Sequence, residues 1–114
     1  MNLNSELLAL KDLLKCPVVQ DLYTDQGTRF ATFTYDLEEP ELCGDNDVLI
    51  EKATIQISYY FPLSYNYFAD KEAIKAYLHG LDYTVEYIQV FVDEEDIKDS
   101  IQLRRMLITA QKAA

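Results

Sequence analysis

Between Lys52 and Phe61 the chain alternates without a break. Ala53, Ile55, Ile57, Tyr59 and Phe61 are apolar, and Lys52, Thr54, Gln56, Ser58 and Tyr60 stand between them. A strand points successive side chains to opposite faces, so this pattern gives one buried face and one wet face. Wound as a helix, the same residues would spread their apolar groups around the whole circumference and bury none of them as a stripe. The segment therefore commits the chain to a sheet covered on one side, the arrangement typical of antiparallel sheets. The cover has to come from elsewhere in the sequence.

Two segments have the spacing to supply it. Residues 3–15 carry Leu3, Leu7, Leu10 and Leu14 at helical intervals, with Leu8 and Leu13 widening the stripe. Asn4 is placed to cap this helix, Leu3 and Leu8 to staple its start, and Pro17 to end it. Residues 70–79 form the second, with Ile74, Tyr77, Leu78 and Leu81 as its buried stripe, Asp70 as N-cap and Gly80 just past the end.

The remaining runs read as strands. Residues 18–23 make a modest one, closed by a turn at 25–27. Residues 30–37 alternate with Ala31, Phe33, Tyr35 and Leu37 on one face. Residues 83–92 are β-branched and aromatic, with an apolar phase that shifts between Tyr87 and Ile88, as a bulge or two buried faces would require. The last stretch admits two readings. Ile97, Ile101 and Ile108 suit a helix with acids first and Arg104, Arg105 and Lys112 last. Ile101 and Leu103, then Met106, Ile108 and Ala110, suit a strand whose alternation slips once. The strand, paired with its predecessor across residues 93–100, is preferred. The expectation is one α+β domain over residues 1–114: a two-layer sandwich of two helices on a mainly antiparallel sheet of about four to five strands.

Charge narrows the function. The 114 residues carry 20 acids against 10 Lys plus Arg, a formal charge of −10. That balance argues against gripping nucleic-acid phosphates or an anionic membrane, each of which needs a basic surface. Apolar residues make up 49%, enough for a core at this size. No secretory signal and no apolar run near the roughly 20 residues of a membrane span are visible. Eleven acids fall in two connections. Asp36, Glu38, Glu39, Glu41, Asp45 and Asp47 form the first; Asp93, Glu94, Glu95, Asp96 and Asp99, opposed only by Lys98, form the second. Such loops can steer a basic protein partner, and they equally serve as solubilising charge.

Chemistry finds little support. His79 is the only histidine, and no thiol motif surrounds Cys16 or Cys43, which are expected as reduced thiols. One histidine and two distant thiols make a poor zinc set. After Asp45-Asn46-Asp47 come Val48, Leu49 and Ile50, without the glycine and later ligands of a calcium loop. Residues 93–96 also offer oxygen ligands, but the solvated-loop reading is preferred there too. Gly27, Gly44 and Gly80 are too scattered to cradle phosphate. No catalytic, cofactor-binding or metal-binding residue is assigned, and no enzyme is expected. Tyrosine says more. Tyr59, Tyr60, Tyr65 and Tyr67 crowd around Phe61 and Phe68, the combination of apolar area and polar tip that protein interfaces favour. Core completion explains the cluster equally well. The candidate partner interface is Glu38, Glu39, Glu41, Asp45 and Asp47 with Tyr60, Tyr65 and Tyr67.

The order of elements, together with an Asp/Asn turn at residues 44–47 running into the long alternating strand and then a helix, resembles the small tail-terminator and head–tail joining proteins of long-tailed bacteriophages and prophages. The resemblance implies a non-enzymatic virion protein assembled in the host cytoplasm. It would form a homo-oligomeric ring at the head-proximal end of the tail tube, touching tube and head-connector proteins and needing no cofactor. An acidic lumen would suit passing DNA, since like charge discourages sticking. The alternative is an acidic nucleic-acid mimic that inhibits a DNA-binding host enzyme. It ranks lower, because a mimic spreads its carboxylates over a face and these are gathered in two loops.

Overall fold

The computed structural model describes residues 3–23, 27–38 and 52–113. Helical segments α1 (Leu3–Leu8) and α2 (Leu10–Leu14) lead into strands β1 (Val18–Gln20), β2 (Phe30–Glu38) and β3 (Lys52–Pro62). Helix α3 (Phe68–Gly80) follows, then β4 (Thr84–Phe91), the two-residue β5 (Ile97–Lys98) and β6 (Ile101–Ala113). The sheet order is β1-β2-β3-β6-β4, with β5 paired to β6. Every pairing is antiparallel except β1 with β2. This is the α+β class expected, with six strands where four to five were anticipated.

Both β3 and β4 run antiparallel to β6, so they are parallel to each other. Parallel strands need a crossover, and α3 is that connection, with β6 inserted between the strands it joins. The alternation of β3 does what its period dictates. Ala53, Ile55, Ile57, Tyr59 and Phe61 are all fully buried in one core with Leu7, Leu10, Leu14, Ile74 and Leu78 from the helices. Neighbouring strands add Phe33 opposite Ile57 on one side and Ile108 opposite it on the other.

Several local expectations are corrected. The first helix begins at Leu3, so Asn4 lies inside its first turn, and it is interrupted at Ala9. Leu8 and Leu13 do not widen the buried stripe; both are exposed. The helix stops before Pro17 as anticipated, with Lys15 in the left-handed region at its C-cap. Likewise α3 starts at Phe68, which makes Asp70 a first-turn residue without a capping bond. Gly80 is the last helical residue, and the left-handed position falls on Asp82. Strand β1 is three residues long rather than six.

The ambiguous C-terminal stretch is a strand. Its slip in alternation is a change of face: Met106, Ile108 and Ala110 join the helix-side core, whereas Leu103 packs with Tyr23 and Phe30 in a second, smaller cluster. The irregularity of β4 is a register shift between Val85 and Tyr87, at Glu86, slightly earlier than its apolar phase implied.

Candidate protein-interaction site

The tyrosine-rich region is divided by the sheet. Tyr60 and Phe61 are adjacent on β3 and point to opposite faces. On the helix side, Tyr67 stacks on Phe61 with centroids 5.2 Å apart and Tyr65 leans on the same ring at 5.7 Å. On the other side, Tyr60 stacks on Phe30 at 4.7 Å, and Phe30 stacks on Tyr23 at 4.1 Å. The three tyrosines of the candidate interface therefore do not share one surface. Of the five acids named with them, Glu38 ends β2 opposite Lys52. Glu39, Glu41, Asp45 and Asp47 lie outside the described residues, as does Cys43.

Tyr65 belongs to a polar network that ties three elements together. The Arg29 guanidinium donates to the carbonyl oxygens of Leu14 at 2.6 Å and Lys15 at 2.9 Å, the free acceptors at the end of α2. It also donates to the Tyr59 hydroxyl at 2.9 Å. Tyr59 and Tyr65 in turn donate to Oδ2 of Asp70, at 2.7 and 2.6 Å. Asp70 thus anchors the start of α3 to β3 rather than capping its own helix. Burial, reinforced by the bond to Asp70, raises the Tyr59 phenol far above its ordinary range. For Tyr65 the bond to Asp70 is the larger cause of an upward shift. Burial pushes Tyr60, Tyr77 and Tyr83 up as well.

These phenols make a pH prediction. Unfolded tyrosines ionise near about pH 10, where the folded state still holds the protons. The folded form then binds more protons than the unfolded one, so stability falls as pH rises through and above that point. An ultraviolet tyrosinate titration is expected to show several of the nine tyrosines ionising only as the chain unfolds. Uniform, reversible ionisation at the ordinary pH with the fold intact would contradict the network.

Cys16 sits half-buried beside this network, its thiol pushed up by burial against the opposing influence of Arg29. A raised thiol is a poor nucleophile at neutral pH. His79 is exposed in the last turn of α3. Among the described residues, no group of three or more His, Cys, Asp or Glu is arranged to hold a metal ion. No helix of the described residues is long and apolar enough to cross a membrane.

What the fold leaves open is an edge. Strand β4 ends the sheet, and among the described residues it pairs only with β6. Its eight residues carry one charge, Glu86, and no Lys, Arg or Pro. Tyr87 and Gln89 are exposed along it, joined by a hydrogen bond from the Tyr87 hydroxyl to the Gln89 carboxamide oxygen. Glu86 and the bulge beside it interrupt the first part of this edge, but from Tyr87 to Phe91 it carries no charge, and such a stretch is a template for another strand. At the opposite end, β1 offers only three residues, in parallel pairing. Periodicity revealed β4 as a strand, but nothing local marks which strand of a sheet will lie at its edge.

No family model matches this chain, and no curated protein matches it.

Proposed function

We propose that the chain is a non-enzymatic structural protein of a long-tailed bacteriophage or prophage, a tail terminator or head–tail connector component that forms a ring at the head-proximal end of the tail tube. The observation that carries the reading is the β4 edge, which among the described residues has no strand beyond it and no charge from Tyr87 to Phe91. A subunit that closes a ring needs a lateral contact between two different patches of its surface. The β4 edge is one such patch, and this reading takes the opposite margin of the sheet, beyond β1, as the other. The network of Arg29, Tyr59, Tyr65 and Asp70 supports a rigid scaffold, and the acidic balance supports a lumen that does not hold DNA.

The nucleic-acid mimic draws less support. Three of the acids that such a mimic would present are occupied internally. Asp96 is paired with Arg105 at 2.7 Å, Asp70 accepts two phenols, and Glu6 faces Lys112 at 3.4 Å.

Replacing both Tyr87 and Gln89 by Lys tests the assembly surface. Both positions are exposed, so the monomer should lose no more than about 0.5 kcal/mol. Lysines along the edge should block strand addition. Light scattering over a concentration series, alone and with tail-tube protein, is expected to show association for the parent and at least a tenfold weaker one, on the order of 1.4 kcal/mol, for the variant. Undiminished assembly by the double variant would place the lateral contact elsewhere.

A further inference from the structure

The face of the sheet turned away from the helices carries a groove of about 190 Å³ between the start of the β1–β2 connection and the β5 hairpin. Its floor is the small apolar cluster of Tyr23, Phe30, Leu103 and Tyr60. Leu22 and Ile97 flank it, and they stand 73% and 56% exposed although each is fully apolar. Asp21 and Glu95 line the rim with Asp96 and Lys98.

The hairpin wall is held firmly in place. Arg105 binds Asp96 through two bonds, at 2.7 and 3.0 Å, and lies over the rings of Tyr60 and Phe91. Leu103 donates its backbone N–H to the Asp96 carbonyl at 2.8 Å, and Gln102 reaches the carbonyls of Asp93 and Asp96. At the hairpin tip, Asp99 and Ser100 both have positive φ, the signature of a tight two-residue hairpin turn. Asp99 also accepts from the N–H of Gly27 at 3.2 Å, which fastens the tip to the far side of the groove. A wall built this way is pre-organised, which lowers the entropic cost of taking up a ligand.

The charges left over decide what the groove accepts. Arg105 neutralises Asp96, so among the described residues lining the groove Asp21 and Glu95 stand against one cation, Lys98. The ammonium of Lys98 lies 5.0 Å from the centre of the Tyr23 ring, so one internal cation already uses the aromatic wall.

The geometry points to a docking groove for a basic partner segment, one that sets apolar side chains against Leu22 and Ile97 and an arginine or lysine between Asp21 and Glu95, displacing Lys98 from Tyr23. The site is on a sheet face and not on the β4 edge, so it stands whether or not the chain forms a ring.

The probe is the capped peptide acetyl-Gly-Leu-Arg-Leu-Arg-Gly-amide, titrated into the full chain and followed by backbone amide NMR. Matched peptides carrying glutamate or norleucine in place of arginine serve as comparisons. The arginine peptide is expected to shift Leu22, Tyr23, Ile97 and Lys98, to weaken with added salt, and to bind better than either comparison. Combining Asp21→Asn with Glu95→Gln should lower its affinity about fivefold to tenfold, the scale of two exposed charge contacts. Lys98→Ala should raise affinity severalfold by removing the competing cation. That sign separates a binding groove from a structural one, since a lysine needed only for the hairpin would weaken binding when lost. Equal binding of all three peptides, shifts confined to other surfaces, or weaker binding by Lys98→Ala would overturn the proposal. So would groove shifts that appear on concentrating the protein alone, which would make a second copy the occupant.

Discussion

Ile57→Asp is expected to leave the chain unable to fold cooperatively. Ile57 is fully buried at the middle of β3, opposite Phe33 on β2 and Ile108 on β6, so no small shift can bring its side chain to water. Losing the isoleucine side chain costs about 2–5 kcal/mol by itself. Forcing a carboxyl group without a partner into the same space adds several kcal/mol more, even if it is taken up in the protonated form. A domain of this size has only about 5–15 kcal/mol to lose. Gln56→Asp, one residue away on the exposed face, should stay within about 0.5 kcal/mol of the parent. Urea unfolding followed by circular dichroism compares the two. Parent-like unfolding of Ile57→Asp beside a severely destabilised Gln56→Asp would mean that the strand's faces are inverted.

Arg29→Ala carries the second largest effect. The guanidinium makes three hydrogen bonds, to Leu14, Lys15 and Tyr59, and lies over the Tyr65 ring at 5.2 Å. Removing it leaves two helix-end carbonyls and the Tyr59 oxygen without their donor, and leaves Asp70 without the cation nearest its two phenols. Hydrogen bonds to a charged group contribute about 1.5–3 kcal/mol. Because the network is partly open to solvent, a total loss of about 2–3 kcal/mol is expected in urea unfolding. Arg29→Lys should recover only part of it, since one ammonium cannot reproduce a planar fork that reaches both the helix end and the phenol. A change below about 0.5 kcal/mol would show the network to be incidental.

These two residues also mark what could be read from the sequence. Ile57 was legible because a period of two is a local property, visible in ten residues and independent of what lies across the sheet. The same holds for α3 and for Ala31 and Phe33 on β2. Arg29 was not legible. Its partners lie 14, 15 and 30 residues away, and nothing in the residues around it sets it apart from any other arginine. Asp70 reads in the sequence as a cap, because an acid at the start of a helix looks like one until the phenols of Tyr59 and Tyr65 are brought to it. The slip in alternation at Leu103 has no explanation within a one-sided sheet, whereas in the structure one end of the second face is buried as well. The interface divides for a similar reason: Tyr60 lies on the opposite side of β3 from Tyr65 and Tyr67, which share the ring of Phe61, while the exposed Leu22 and Ile97, distant in sequence, line one groove.

Electron microscopy of polymerising tail-tube protein, with and without this chain, tests the central claim most directly. Rings of this chain are expected at one end of each tube, with an arrest of further growth there, and the Tyr87, Gln89 double lysine variant is expected not to form them. A chain that stays monomeric, leaves tube length unchanged and instead binds a nuclease tightly in a salt-sensitive way would contradict it.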